Sequence, residues 1–146
     1  MSHVVELRHD YPGVSPTRLS DLVTDYAALH EVSKPLVVFT GVPSDGHVRA
    51  GDDWTARVRL LGVLPAQDYR MTVKTCDAER MSFRSEEKGA GVDAWVHEVA
   101  VYPRPDGSRL TERVTVEAGA RTPVFAAWAR FLYGRRHRLR LAILAR

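Results

Sequence analysis

The stretch WVHEVAVYPRPDGSRLTERVTVE, residues 95–117, decides the fold, because its alternation predicts two strands joined by a turn that contains proline and glycine. A turn centred near Pro105 and Asp106 would pair residues whose numbers sum to about 211. This register places His97 opposite Val114, with Glu112 one diagonal step away. The apolar face of the hairpin therefore contains two polar residues. Its members are Trp95, His97, Val99, Val101, Leu110, Glu112, Val114 and Val116.

The same alternation predicts a longer series of strands with one polar and one apolar face, which is typical of an antiparallel sheet covered on one side. The predicted strands are 3–11, 36–42, 54–62, 68–76, 80–87, 92–102 and 108–117. Two short helices are predicted after the first strand. Ser15 should cap the first helix, with Pro16 in its first turn, and Asp25 should cap the second helix over 26–32, which Pro35 ends.

A long helix is predicted over residues 122–145, with Thr122 as its N-cap and Pro123 at its first position. Its apolar residues recur at helical spacing, so we expect the helix to cover the apolar face of the sheet. The predicted stripe consists of Val124, Phe125, Trp128, Phe131, Leu132, Leu139 and Ile143.

Composition predicts one globular domain over residues 1–146, with 45% hydrophobic and 27% charged residues. No apolar run approaches the roughly 18 residues that a membrane span requires. The first ten residues, MSHVVELRHD, carry charges where a secretory signal would be apolar, so we expect a cytoplasmic protein. The single cysteine, Cys76, excludes an internal disulfide and is more typical of a packing residue than of a nucleophile.

Positive charge is concentrated at the end of the chain. Residues 130–146 contain six arginines and no acidic residue, which gives +6 there and −3 for the remainder. Such a segment can bind nucleic acid or an anionic membrane, or it can be a solvated helix face. No zinc-finger spacing and no glycine-aromatic strand motif accompanies it, so we expect no nucleic-acid partner.

Four segments together resemble the START-related helix-grip superfamily, also described as polyketide cyclase/dehydrase-like or birch-pollen-allergen-like. They are SPTRLSDLVTDYAALHEV (15–32), GDDWTARVRLLG (51–62), the hairpin, and FAAWARFLYGRRHRLRLAIL (125–144). The resemblance covers essentially the whole chain. It implies an α+β fold in which a curved seven-stranded antiparallel sheet wraps around a long C-terminal helix, with two short helices after the first strand.

The resemblance also implies a cavity between sheet and helix for a small hydrophobic molecule, lipid-like or polyketide-like. The ligand-binding residues would be His9, Tyr69, Met71, Phe83, Trp95, His97, Glu112, Trp128 and Leu132. Further wall residues would be Leu7, Val58, Leu60, Val73, Met81, Val99, Val114 and Phe125, with Thr75 and Ser85 also pointing inward. No cofactor is implied, and the chain has no Gly-x-Ser-x-Gly, phosphate-binding loop or His-Glu-x-x-His motif.

Three functions remain open: a binding protein; a cyclase or dehydratase in which His97 and Glu112 are catalytic; and a ligand-free interaction module that uses the arginine-rich helix end. The order of the helix-grip strands would also bring His9 next to Glu112. The polar residues have three interpretations. The first is a structural network that fixes strand register or binds an arginine of the long helix, such as Arg135 or Arg136. The second is an acid–base or ligand-orienting group, and the third is a metal triad of His9, His97 and Glu112. Nothing in the spacing positions metal ligands, so no metal is predicted. His137 is a further candidate at the same end.

Overall fold

Seven antiparallel strands form one sheet in the order β1-β7-β6-β5-β4-β3-β2 in a computed structural model that describes residues 1–146. The strands are β1 (Ser2–Pro12), β2 (Val37–Thr40), β3 (Asp53–Leu60), β4 (Gln67–Asp77), β5 (Ser82–Gly89), β6 (Val92–Arg104) and β7 (Gly107–Glu117). The helices are α1 (Pro16–Val23), α2 (Tyr26–Ser33) and α3 (Thr122–Leu144), the last preceded by a short 3-10 turn at Gly119–Arg121. The predicted α+β helix-grip architecture is confirmed.

The β6–β7 hairpin has the predicted register. His97 pairs with Val114, and the residue numbers of every pair, from Ala94 with Glu117 onward, add up to 211 as predicted. The first strand pairs with the last, as expected, and sets Leu7 opposite Glu112. The residues that face the core from three neighbouring strands are therefore fixed by a period-two pattern.

The two short helices connect β1 and β2, the strands at the opposite edges of the sheet. Both predicted caps are present. The Ser15 hydroxyl accepts from the Arg18 amide at 3.2 Å, and the Asp25 carboxylate accepts from the Ala27 amide at 2.9 Å. The end of α2 is held by Arg135, whose guanidinium donates to the carbonyls of Val32 and Lys34.

Helix α3 covers the sheet with a face that only partly matches the predicted stripe: Leu132 is buried and Phe125 and Trp128 are half-buried, as expected. Val124 and Phe131 belong to the predicted stripe but are 68% and 53% exposed. The face buried against the sheet consists of Thr122, Ala126, Ala129, Leu132, Tyr133, Arg136 and Arg140. Ala126 and Ala129 pack in the core between the helix and the sheet, and Val124 and Phe131 lie on the outer side of the helix.

The predicted cap of α3 is also wrong. Arg121 occupies the N-cap position and makes no side-chain capping bond. Thr122 instead donates to the Gly119 carbonyl at 2.7 Å and accepts from the Ala118 amide at 3.0 Å. Its hydroxyl therefore holds the preceding turn rather than the first turn of the helix.

A bulge in β4 overturns the prediction for Thr75. The register of β4 against β5 shifts between Val73 and Thr75, so the alternation reverses there. Thr75 is exposed, and Cys76 turns inward, with its Sγ atom 3.6 Å from the Val48 carbonyl oxygen. No helix is both long and apolar enough to cross a membrane.

Candidate functional site

A cavity lies between the sheet and α3. It has 28 lining residues, of which 20 are hydrophobic. The space open to the centres of water molecules is about 110 Å³, and the empty space among the lining atoms, including the mouth, is about 1050 Å³. One water needs roughly 10–15 Å³ of space open to its centre. The enclosed part of about 110 Å³ therefore has room for several waters or for a slender ligand.

Most of the residues proposed from the sequence line this cavity. They are Tyr69, Met71, Phe83, Trp95, His97, Glu112, Trp128 and Leu132. His9 does not line it, and neither do Leu7, Met81 or Val114 from the wider set of wall residues. Val114 is fully buried in the core. Ser85 is 2% exposed and does line the cavity.

Glu112 and His97 form a buried pair on the cavity wall. The His97 Nε2 atom lies 2.7 Å from the Glu112 Oε2 atom, and the two residues are 8% and 2% exposed. Burial alone would raise the pKa of Glu112. The hydrogen bond from His97 and the charges of Arg140, His97 and Arg136 outweigh burial and lower that pKa to about 2. Glu112 is therefore a carboxylate at neutral pH.

The carboxylate determines which nitrogen of His97 keeps a free lone pair. Because ionised Glu112 can only accept, the Nε2 atom of His97 must donate. The other nitrogen, Nδ1, makes no hydrogen bond within the protein and is not among the fully buried polar atoms. In neutral His97 this nitrogen is a free acceptor on a residue that lines the cavity. The imidazole ring of His97 packs against Tyr133, with ring centroids 4.8 Å apart.

The arginine that contacts Glu112 lies on the long helix, as one interpretation of the sequence expected, but it is Arg140 and neither of the two examples, Arg135 and Arg136. Its Nη1 atom is 3.6 Å from the Glu112 Oε1 atom, and its side chain is only 8% exposed. Arg136 donates instead to the Ser33 hydroxyl at 3.0 Å and lies over the Tyr133 ring, 5.0 Å from the centroid. The rotation of α3 about its own axis places Arg140 next to Glu112 on β7.

Most of the arginines in residues 130–146 contact other parts of the protein. Arg135 holds α2, and Arg146 contacts Glu31. Together with Arg136 and Arg140, four of the six arginines in 130–146 therefore contact the rest of the chain. Arg130 and Arg138 remain exposed without such contacts.

His9 stacks on His137 and makes no hydrogen bond with Glu112. The two rings are nearly parallel, with centroids 4.3 Å apart, and Tyr11 meets His137 edge-on. Burial, the largest cause, lowers the pKa of His9, and burial together with the charges of His9 and Arg140 lowers that of His137 to about 4. His9, His97 and Glu112 are not arranged as a metal triad, and no group of three His, Cys, Asp or Glu residues is arranged to hold a metal ion.

A second buried carboxylate, Glu87 on β5, was missed by the sequence reasoning. It is 8% exposed and lines the cavity. Its Oε1 atom accepts from the Tyr69 hydroxyl at 2.7 Å, and its Oε2 atom accepts from the Ser85 hydroxyl at 2.9 Å. The pKa of Tyr69 is raised well above its usual value, first by burial and then by the Glu87 charge. The alternation Phe83, Ser85, Glu87 could have revealed the inward position of this carboxylate.

Comparison with known proteins places the chain in a family. Residues 35–143 match the family described as a domain of unknown function, DUF8410. The chain belongs to this family. No curated protein matches the sequence significantly.

Solved structures share the fold at low sequence identity. A START superfamily protein from Mycobacterium smegmatis is 15% identical with a TM-score of 0.65, covering 99% of this chain and 97% of its own. Ara h 8.0201 is 12% identical with a TM-score of 0.67, covering 97% and 99%. DynU16, described as a putative protein in the dynemicin biosynthetic locus, is 14% identical with a TM-score of 0.61, covering 94% of this chain and 46% of its own. The chain thus has the START-like, Bet v 1-like helix-grip fold.

Proposed function

We propose that the protein binds a small hydrophobic molecule, lipid-like or polyketide-like, in the cavity between the sheet and α3. The observation that carries this proposal is an apolar cavity whose few polar groups are held in place by buried partners. Each 100 Å² of apolar ligand surface removed from water would contribute about 2.5 kcal/mol before the costs of association.

One polar group of the ligand would meet His97. Its Nδ1 atom is available as an acceptor, while Nε2 is held by Glu112. The apolar body would contact Met71, Phe83 and Leu132, which line the same cavity. A ligand with an apolar body and a polar group at His97 would therefore bind in one orientation.

Obstruction of the cavity tests this proposal. Met71→Trp adds bulk to the wall, whereas Lys74→Trp adds it at an exposed position on the same strand. The neutral dye N-phenylnaphthylamine should bind the unmodified protein with increased fluorescence, and Met71→Trp should weaken its binding by about tenfold or more. Lys74→Trp should leave binding unchanged, with both melting temperatures checked.

The proposal would be wrong if the unmodified protein gave no dye signal. It would also be wrong if the Met71→Trp protein, folded by its melting temperature, bound the dye as well as the control does. Native mass spectrometry of the purified protein offers an independent check, because a retained ligand would appear as a discrete added mass that is lost from Met71→Trp.

The His97–Glu112 pair favours a second candidate function, a cyclase-type or dehydratase-type reaction in the same cavity. A buried carboxylate that holds one nitrogen of an imidazole leaves the other able to take a proton from a substrate, and it stabilises the imidazolium that forms. Turnover would be sought with aromatic and polyketide-like hydroxycarbonyl compounds.

A comparison of two histidine variants decides whether such turnover uses this pair. His97→Gln should abolish it without abolishing dye binding, and His3→Gln, at an exposed position on β1, should not affect it. Retained turnover in His97→Gln, or none with any compound in the panel, would leave binding as the function.

A further inference from the structure

Glu87 differs from the other buried carboxylate of the cavity in having no charged partner. Glu112 contacts both His97 and Arg140. The only side-chain partners of Glu87 are two neutral hydroxyls, those of Tyr69 and Ser85, and no Lys, Arg or His lies within 4.0 Å of its oxygens. A carboxylate removed from water without a cation is costly, and neutral donors offset only part of that cost.

The bonding capacity of Glu87 is also incomplete. A carboxylate offers about four acceptor positions, and one hydroxyl occupies each oxygen of Glu87. The side chain lines the cavity, so the remaining positions can accept from a molecule bound there. A positively charged donor would supply Glu87 with both a counter-ion and the missing hydrogen bonds.

The neighbours of Glu87 are of the kind that accommodate an organic cation. Its direct cross-strand partners are Trp95 on β6 and Met71 on β4. Tyr69, which donates to Glu87, lines the same cavity, as do Trp128 and Phe125. Aromatic faces attract ammonium groups, most strongly where water is excluded.

Arg136 is a candidate counter-ion of Glu87 from within the protein. It lines the cavity, and its charge acts on Tyr69 and Tyr133. Its guanidinium is directed at Ser33 and the Tyr133 ring, and it does not come within ion-pair distance of Glu87. It therefore leaves the carboxylate without a direct counter-ion.

We propose that Glu87, with the aromatic side chains around it, is the binding subsite for a protonated amine, so that the ligand is a small amphipathic amine. This inference rests on the proposed binding function, because it assigns a second, charged group of the same ligand to Glu87, beside the polar group that would meet His97. The hydroxyls of Tyr69 and Ser85 orient the carboxylate, and the apolar wall takes the remainder of the molecule.

Three probes with one skeleton test the inference in the unmodified protein. Phenylbutylamine, phenylbutanol and phenylbutyrate differ only in the end group, and calorimetric titration at pH 7 compares their affinities. The amine should bind about tenfold or more tightly than the alcohol, since a hydrogen bond between charged groups is stronger than one between a charged and a neutral group. The carboxylate should bind weakest.

Matched variants assign the preference to Glu87. Glu87→Gln should reduce amine binding to the level of the alcohol and leave alcohol binding within about twofold. Glu86→Gln, on the same strand with its carboxylate half-exposed beside Arg84, should change neither. The indole resonance of Trp95 should shift with the amine in the unmodified protein, which places the probe in the cavity.

The outcomes separate the two proposals. If the alcohol binds and the amine binds no more tightly, the amine subsite is wrong and the binding function stands. Retention of the amine preference in Glu87→Gln would likewise overturn the subsite. If none of the three probes binds to protein that binds N-phenylnaphthylamine, the amine subsite alone is wrong; if the dye also fails to bind, both proposals fail.

Discussion

Replacement of Glu112 by glutamine tests whether the buried pair stabilises the fold. The substitution keeps the size of the side chain and removes its charge. His97 would lose an ionised acceptor at 2.7 Å, and Arg140 would lose its only ion partner. The Oε1 atom of Glu112 is itself buried without a hydrogen bond, and Arg140 is the cation beside it.

The expected cost follows from the pKa of Glu112. Its value falls from 4.5 to about 2 on folding. A difference of one pKa unit corresponds to 1.36 kcal/mol, so the charged form is stabilised by about 3 kcal/mol. Removal of one partner from a buried ion pair costs a similar amount, roughly 3–5 kcal/mol. The free energy of unfolding at pH 7 should therefore fall by about 3 kcal/mol in Glu112→Gln.

The pH dependence supplies a second signature. Because the folded pKa lies below the unfolded one, the unfolded chain takes up the proton first as the pH falls. The stabilisation from Glu112 is complete above about pH 5 and is lost between about pH 4.5 and 2. The difference in stability between the parent protein and Glu112→Gln should therefore shrink as the pH is lowered through that window.

Urea unfolding of both proteins at a series of pH values measures these differences. Glu117→Gln is the matched control, since the same change is made at an exposed position on the same strand and should alter stability by less than about 0.5 kcal/mol. A loss in Glu112→Gln no larger than in the control would refute the reasoning. So would a loss that stays constant from pH 7 to pH 3.

Three further predictions concern other buried groups. The low pKa of His137, about 4 against 6.5, means that stability should decline as the pH falls from about 6.5 toward 4, and His137→Gln should flatten that part of the urea-unfolding profile. Tyr133→Phe removes the acceptor of the Trp95 indole at 3.1 Å and should cost about 1–2 kcal/mol, against almost nothing for Tyr102→Phe at an exposed position. Leu110→Ala at a fully buried position should cost about 2–5 kcal/mol by chemical denaturation, and Leu141→Ala, 38% exposed, much less.

Local patterns in the sequence were sufficient for the elements and for the hairpin. The alternation of β6 and β7 and the turn between them placed His97 and Glu112 on one face in the correct register. Ser15 and Asp25 were identifiable as caps because a cap depends on residues only two or three positions away. Most residues expected at the cavity also line it, since inward positions on a strand follow from a period of two.

The partners of the polar residues required the folded chain. Glu112 could be placed on a face, but the arginine that meets it depends on the rotation of α3, which is set by close packing of Ala126 and Ala129 against the sheet. The β4 bulge, which turns Thr75 outward, leaves no local mark in the alternation. Strand faces and caps are decided by neighbours along the chain. Helix rotation, bulges and the counter-ion that Glu112 has and Glu87 lacks are decided by side chains distant in sequence, which only tertiary packing brings together.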